Sequence, residues 1–248
     1  MASTYKTGCI QNVANFETLI SYITAFGTDY NPSKNSLTIP ELQKKLSESK
    51  VSLSTVNVAF SAHSNASAAR ESAFEPLSKL VTRANNALKA TDTTTQVDDS
   101  AKTLVRKIQG TRASTKFTEE EKKALEAEGK SATQISTSQM GFNDRLENFD
   151  KFITLLSSIP NYAPNEEDLK ITSLSALRDD LRTKNTEVLP TEVQLSNASI
   201  ARNDIQDRPL TGLVDIAFDA KVYIKSVFGA TSPQYKQVSK LAFVKQKK

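Results

Sequence analysis

The hexamer Asn65-Ala-Ser-Ala-Ala-Arg70 returns as Asn197-Ala-Ser-Ile-Ala-Arg202, and the flanking residues return in the same order. A repeat of this kind constrains the fold more than any local pattern, because both copies must take up one supersecondary plan. Upstream, Val13, Phe16, Leu19, Ile20, Ile23 and Phe26 match Leu146, Phe149, Phe152, Ile153, Leu156 and Ile159 without a gap. Tyr30-x-Pro32 then matches Tyr162-x-Pro164, and Leu37-x-Ile39 matches Leu169-x-Ile171. Downstream, Pro76-Leu77-x-x-Leu80-Val81 aligns with Pro209-Leu210-x-x-Leu213-Val214, and Ala84 and Ala87 align with Ala217 and Ala220. The register is lost only between residues 43 and 61. The chain reads as repeat 1 over 12–110, a connector over 111–143 and repeat 2 over 144–244.

Within each copy the apolar spacing is helical. Val13, Phe16, Ile20 and Ile23 lie on one stripe of a helix with 3.6 residues per turn, and Gly27 stands where a C′ glycine would end it. Pro40 opens a long helix to about Ser72, Pro76 a third, and Asp98–Ile108 a fourth that ends at Gly110. Repeat 2 predicts helices over 144–159, 172–206, 209–228 and, capped by Ser232 with Pro233 at its first position, to Phe243. Pro190 is expected to kink or break the long helix. The connector carries a capping box at Thr118–Glu121 and a short charged helix stopped at Gly129. Arg112 and Lys116 make it locally basic, and 131–139 has linker chemistry. No window alternates apolar and polar residues. The expected class is all-α, a tandem duplication of a four-helix unit with long antiparallel helices, packed about a pseudo-two-fold axis. With only 7 glycines and 8 prolines in 248 residues, there are few breakers to interrupt such helices.

Composition removes several chemistries. A single cysteine, Cys9, and a single histidine, His63, cannot supply the usual zinc sites or a disulfide framework. The chain contains no Gly-x-Gly-x-x-Gly, no Gly-x-x-x-x-Gly-Lys-Ser/Thr and no Gly-x-Ser-x-Gly. No Glu-x-x-His pair marks a di-iron bundle. The reading therefore assigns no catalytic, cofactor-binding or metal residues, expects no cofactor and leans away from an enzyme. A net charge of +4 with no interleaving of aromatic and basic residues gives no nucleic-acid footprint. The longest apolar stretch, Val214–Phe228, is interrupted by Asp215, Asp219, Lys221 and Lys225, so no transmembrane segment is expected. Residues 1–11 carry no apolar core or cleavage site, which points to the cytoplasm. The tail with Lys245, Lys247 and Lys248 reads as a frayed end.

The candidate contacts between repeats are Asn65, Arg70, Asn197 and Arg202. Asn65-Ala-Ser67 and Asn197-Ala-Ser199 fit a glycosylation pattern, but mid-helix and without a signal peptide, packing is the better account: small residues let helices approach, and asparagine fixes register. Asn65 and Asn197 are accordingly expected to meet across the pseudo-axis. Arg70 and Arg202 could bind a phosphate or carboxylate, with pairing to nearby Glu71, Glu75, Asp204 or Asp207 the simpler expectation. His63 could titrate near neutral pH as a base, against the plainer reading of a surface or half-buried histidine. Asp98-Asp99, Asp179-Asp180 and Glu166–Asp168 are explained by charge placement at helix starts and on surfaces. Tyr30 and Tyr162 are expected to cover the ends of the two cores.

The stretch Ile224–Leu241 and the segment Thr118–Gly129 resemble parts of all-helical proteins of similar length from Bacteroidota. The resemblance implies a bacterial cytoplasmic origin and no particular mechanism. The functional expectation is a non-catalytic scaffold with a protein partner or self-association. The alternatives are a lipid-surface protein, with Lys221 and Lys225 facing anionic headgroups, and a ligand binder or enzyme with a site between the repeats.

Overall fold

A computed structural model describes residues 4–111, 118–128 and 141–245. Arg112, Lys116, Gly129, the linker 131–139, Lys247 and Lys248 lie outside the described residues. Among the described residues every regular element is helical. The chain order is α1 (Thr4–Ala25), α2 (Ile39–Phe74), α3 (Leu77–Lys89), α4 (Thr95–Gln109), α5 (Glu119–Ala127), α6 (Phe142–Ser157), α7 (Ile171–Asp207), α8 (Leu213–Phe228) and α9 (Pro233–Ser239). The all-α expectation holds. Gly110 ends α4 in the left-handed conformation, at φ 67°, and Ser232 Oγ accepts the Tyr235 N–H at the start of α9.

α1 begins at Thr4, ahead of the expected repeat start at 12, and α4 at Thr95 rather than Asp98; three further differences bear on the packing. First, α7 does not break at Pro190 but continues as one helix of 37 residues. An interior proline costs about 3 kcal/mol through one lost hydrogen bond and ring crowding. Burial of Leu174, Leu181 and Val188 before it and of Arg202 and Gln206 after it holds both arms helical. Second, α8 begins at Leu213 rather than 209. The link from α7 is too tight to be helical: Leu210 adopts φ 66°, and a Cβ on Gly212 would lie 2.7 Å from backbone atoms of Arg208 and Gln206. Third, α9 stops at Ser239, and the following segment is tied down rather than frayed. Asn12 donates to the Val244 carbonyl and accepts the Val244 N–H, at 2.8 and 2.9 Å, and Lys245 pairs with Asp215 at 2.6 Å.

Leu210, aligned with the fully buried Leu77, is 76% exposed. The buried apolar residues of α3 are Leu77, Val81, Ala84 and Leu88; those of α8 with the same spacing are Leu213, Ala217, Ala220 and Ile224.

The structure has two compact units, 1–64 with 191–248 and 65–190. In the first, α1 and α8 form the core with the opening turns of α2. Val13, Phe16, Leu19 and Ile23 pack with Leu213, Val214, Ala217 and Ile224, and Val238 of α9 closes the end. The first half of α2 runs antiparallel to the second half of α7, with His63 beside Thr191 at one end and Lys45 near Asp204 at the other. In the second unit, Phe149, Phe152 and Leu156 of α6 pack against Leu77, Val81 and Leu88 of α3 and Ala101 and Ile108 of α4, with Leu174 and Leu181 of α7. Each core thus takes its first-helix stripe from one sequence repeat and its later helices from the other.

The loops after α1 and α6 are built alike. The hydroxyl of Tyr30 donates to the Leu37 carbonyl, and that of Tyr162 to the Leu169 carbonyl, both at 2.9 Å. Both rings are buried, as expected of covers on the core ends. An ion pair then ties each loop to a helix with the sign reversed: Lys34 to Asp219 of α8, and Asp168 to Arg83 of α3.

Two outcomes test this architecture. Burial, with help from Glu166 and Asp168, pushes the Tyr162 phenol up to about 12 from its ordinary 10.0. A raised value gives stability that is complete below pH 10.0 and is lost as pH climbs toward 12. Tyr162→Phe should cost about 1 kcal/mol at neutral pH and flatten the alkaline decline, as read by urea titrations across pH. Because each core mixes the two repeats, a chain cut within the connector should yield halves that lack cooperative unfolding alone and regain it when mixed, as measured by circular dichroism melts.

Candidate functional site

The two arginines that end the repeated hexamers are placed by one plan and surrounded by different chemistry. Arg70 lies one turn before the end of α2, and Phe74 follows on the same face. The Arg70 guanidinium lies over the Phe142 ring, 4.0 Å from its centroid, and Phe142 meets Phe74 edge-on at 5.0 Å. Arg145 covers the other side of this pair, 5.4 Å from the Phe74 centroid. It donates to the carbonyls of Ile108 and Phe74 at 3.1 and 3.3 Å. Those carbonyls belong to the last turns of α4 and α2, where no helical N–H is left to bond them and the dipole favours a cation. Burial pulls the Arg145 guanidinium below its ordinary value, yet the carbonyls and ring keep it bonded.

At the matching places of the other unit stands a polar cluster. Arg202 is buried at the end of α7 and donates to Asn203 Oδ1 at 3.0 and 2.7 Å. Gln206, spaced from Arg202 as Phe74 is from Arg70, is fully buried. It accepts from Asn12 at 3.2 Å and donates to the Cys9 carbonyl at 3.4 Å. Cys9 and Asn12 precede Val13 as Phe142 and Arg145 precede Leu146. One unit therefore fills this layer with stacked rings and two guanidinium groups, the other with one guanidinium group, that of Arg202, and the amides of Asn12, Asn203 and Gln206. A buried amide layer survives only when its donors and acceptors are met, and the clasp of Asn12 on Val244 does so by recruiting the C-terminal segment.

Arg70 and Asp204 find partners other than those expected. Arg70 spends its charge on an aromatic face, and its Nε is buried without an acceptor, in place of a bond to Glu71 or Glu75. Asp204 pairs with Arg208 rather than Arg202. Asn65 and Asn197 are both exposed, beside half-buried Ala66 and Ser67 and Ala198 and Ser199. His63 is half-buried, its Nδ1 3.3 Å from Thr191 Oγ1. Lys221 donates to the carbonyls of Ser239 and Leu241 at 3.1 and 2.9 Å, and burial lowers its ammonium from the ordinary lysine value. Lys225 lies over the Tyr235 ring.

No described protein family, curated protein or solved structure matches this chain. Function must be argued from its own surfaces. Among the described residues no group of three or more His, Cys, Asp or Glu side chains comes together to hold a metal, and no helix is long and apolar enough to cross a membrane.

Sequence reasoning found Arg70 and Arg202 through the repeat but missed Phe142, Arg145, Asn12 and Gln206. Their signal was available in the alignment: Phe74 and Arg145 stand where the other copy has the amides Gln206 and Asn12, and Phe142 where it has Cys9. Phe142→Leu should lower the melting temperature by several degrees through the lost ring contacts, and Arg145→Met by at least as much by leaving two helix-end carbonyls unbonded. Calorimetry of both variants checks this.

Proposed function

We propose that the protein is a cytoplasmic, non-catalytic helical scaffold, built as a duplicated four-helix unit, that pairs with a protein partner or a second copy along the outward faces of α2 and α7. The observation that carries the reading is the pattern of exposed apolar side chains on these helices. Val51 and Val58 of α2 lie seven residues apart and are 62% and 68% exposed. Leu189, Val193 and Ile200 of α7 follow at four and seven residues, with Ile200 63% exposed. Apolar residues at these intervals form the seam along which helices pair, and an exposed helical seam marks a surface made for association.

This reading gives the repeated asparagines a role that suits their exposure. Asn65 continues the Val51–Val58 interval by seven residues, and Asn197 sits between Val193 and Ile200. An amide in an otherwise apolar seam fixes the register and number of paired helices at some cost in affinity. The duplication is supported by the shared spacing of the buried residues in α3 and α8, by the two tyrosine-to-carbonyl bonds and by the sign-reversed loop pairs.

A photo-crosslinking residue at position 58 or 200, introduced in living cells, should give a discrete protein adduct, whereas the same residue at exposed Lys123 should not. Val58→Lys with Ile200→Lys should abolish association measured by sedimentation while leaving the melt unchanged. Absence of adducts from both seam positions would remove the proposal.

A further inference from the structure

The two tyrosine-covered loops differ in one respect that creates a cavity. In the unit containing Tyr30, the ring of Tyr223 stands edge-on to it, with centroids 5.2 Å apart and planes at 88°. Tyr223 is ten residues beyond Leu213, the first buried residue of α8. The residue ten beyond Leu77, the first buried residue of α3, is Ala87. Beside Tyr162, therefore, alanine stands where the other unit has a phenol. The space is a cavity of about 280 Å³ lined by Ala87, Ala90 and Thr91 of the α3 end and by Tyr162, Asn165 and Glu166 of the loop. A cavity near 150 Å³ suffices for benzene, so this one has room for a ring and a short substituent.

Charge specifies the substituent. In the other unit the residue four beyond Tyr30 is Lys34, which is paired with Asp219. Four beyond Tyr162 is Glu166, and Arg83 of α3 is already paired with Asp168. Among the described residues Glu166 makes no ion pair, and it is one of the residues that line the cavity. We infer that this cavity binds a small aromatic ring carrying a short cationic arm, the ring edge-on to Tyr162 as Tyr223 is to Tyr30, and the ammonium on Glu166. The ring rests against Ala87 and Tyr162, and the carboxylate supplies the selectivity.

The test uses the full chain and phenethylamine as probe, with 2-phenylethanol as its neutral counterpart and 3-phenylpropionate as the wrong sign. Phenethylamine should shift the methyl resonances of Ala87 and Ala90 in a saturable titration, with the neutral probe about tenfold weaker and the anion weaker still. Glu166→Gln should bring phenethylamine down to the neutral probe and leave 2-phenylethanol unchanged. Ala87→Tyr should raise the melting temperature and abolish binding of both. Ala90→Leu closes the same space from the next turn and replaces it should Ala87→Tyr fail to fold. The inference is overturned if phenethylamine shifts nothing at millimolar concentration, if a folded cavity-filling variant still binds it, or if amine and alcohol bind equally.

Discussion

The packing of the first-helix stripe of one sequence repeat onto the later helices of the other is the constraint on which the rest depends. Phe16 and Ile23 of α1 are fully buried only because α8 supplies Ala217 and Ile224, and Phe149 and Leu156 of α6 only because α3 and α4 supply Val81, Leu88 and Ile108. Neither first helix has its own repeat's third helix in its core. The long helices follow from this. Each must carry the chain from one core to the other, so α2 and α7 continue for 36 and 37 residues where a helix serving one core would stop after three or four turns. Tolerance of Pro190 follows as well, since both arms of α7 are held by burial.

Helices of that length expose more surface than two small cores can cover. Along their outer faces stand Val51, Val58, Leu189, Val193 and Ile200, which desolvation would reward if a partner were seated on them. The same architecture frees the loops at the core ends to diverge. Both keep the tyrosine hydroxyl on a backbone carbonyl, because an unbonded buried phenol is costly. Beyond that bond, one loop is packed by Tyr223 and the other is left open by Ala87.

Much of this was legible in the residues. The helical stripes of Val13–Ile23 and Leu146–Leu156, the places of Tyr30 and Tyr162 and the Ser232 cap were readable because each rests on local spacing or on a bond within a few residues. The exposure of Leu210 was not legible, because Pro-Leu stands at 76–77 and again at 209–210 while the chain geometry differs. Leu210 is drawn into a left-handed link that no pairwise alignment reveals. The sites around Arg70 and Arg202 were half legible: the arginines stand in the repeat, but their partners come from helices far along the chain.

Local physics in the sequence alone determined that the chain is helical and where most helices begin and end, since periodicity, capping and the scarcity of glycine and proline act over one or two turns. Only the tertiary structure decided which helices share a core, that α7 outlasts its proline, that the C-terminal segment clasps Asn12 and that Ala87 opens a cavity beside Tyr162. Those outcomes turn on contacts between residues many positions apart, where burial and the pairing of buried polar groups outweigh any local preference.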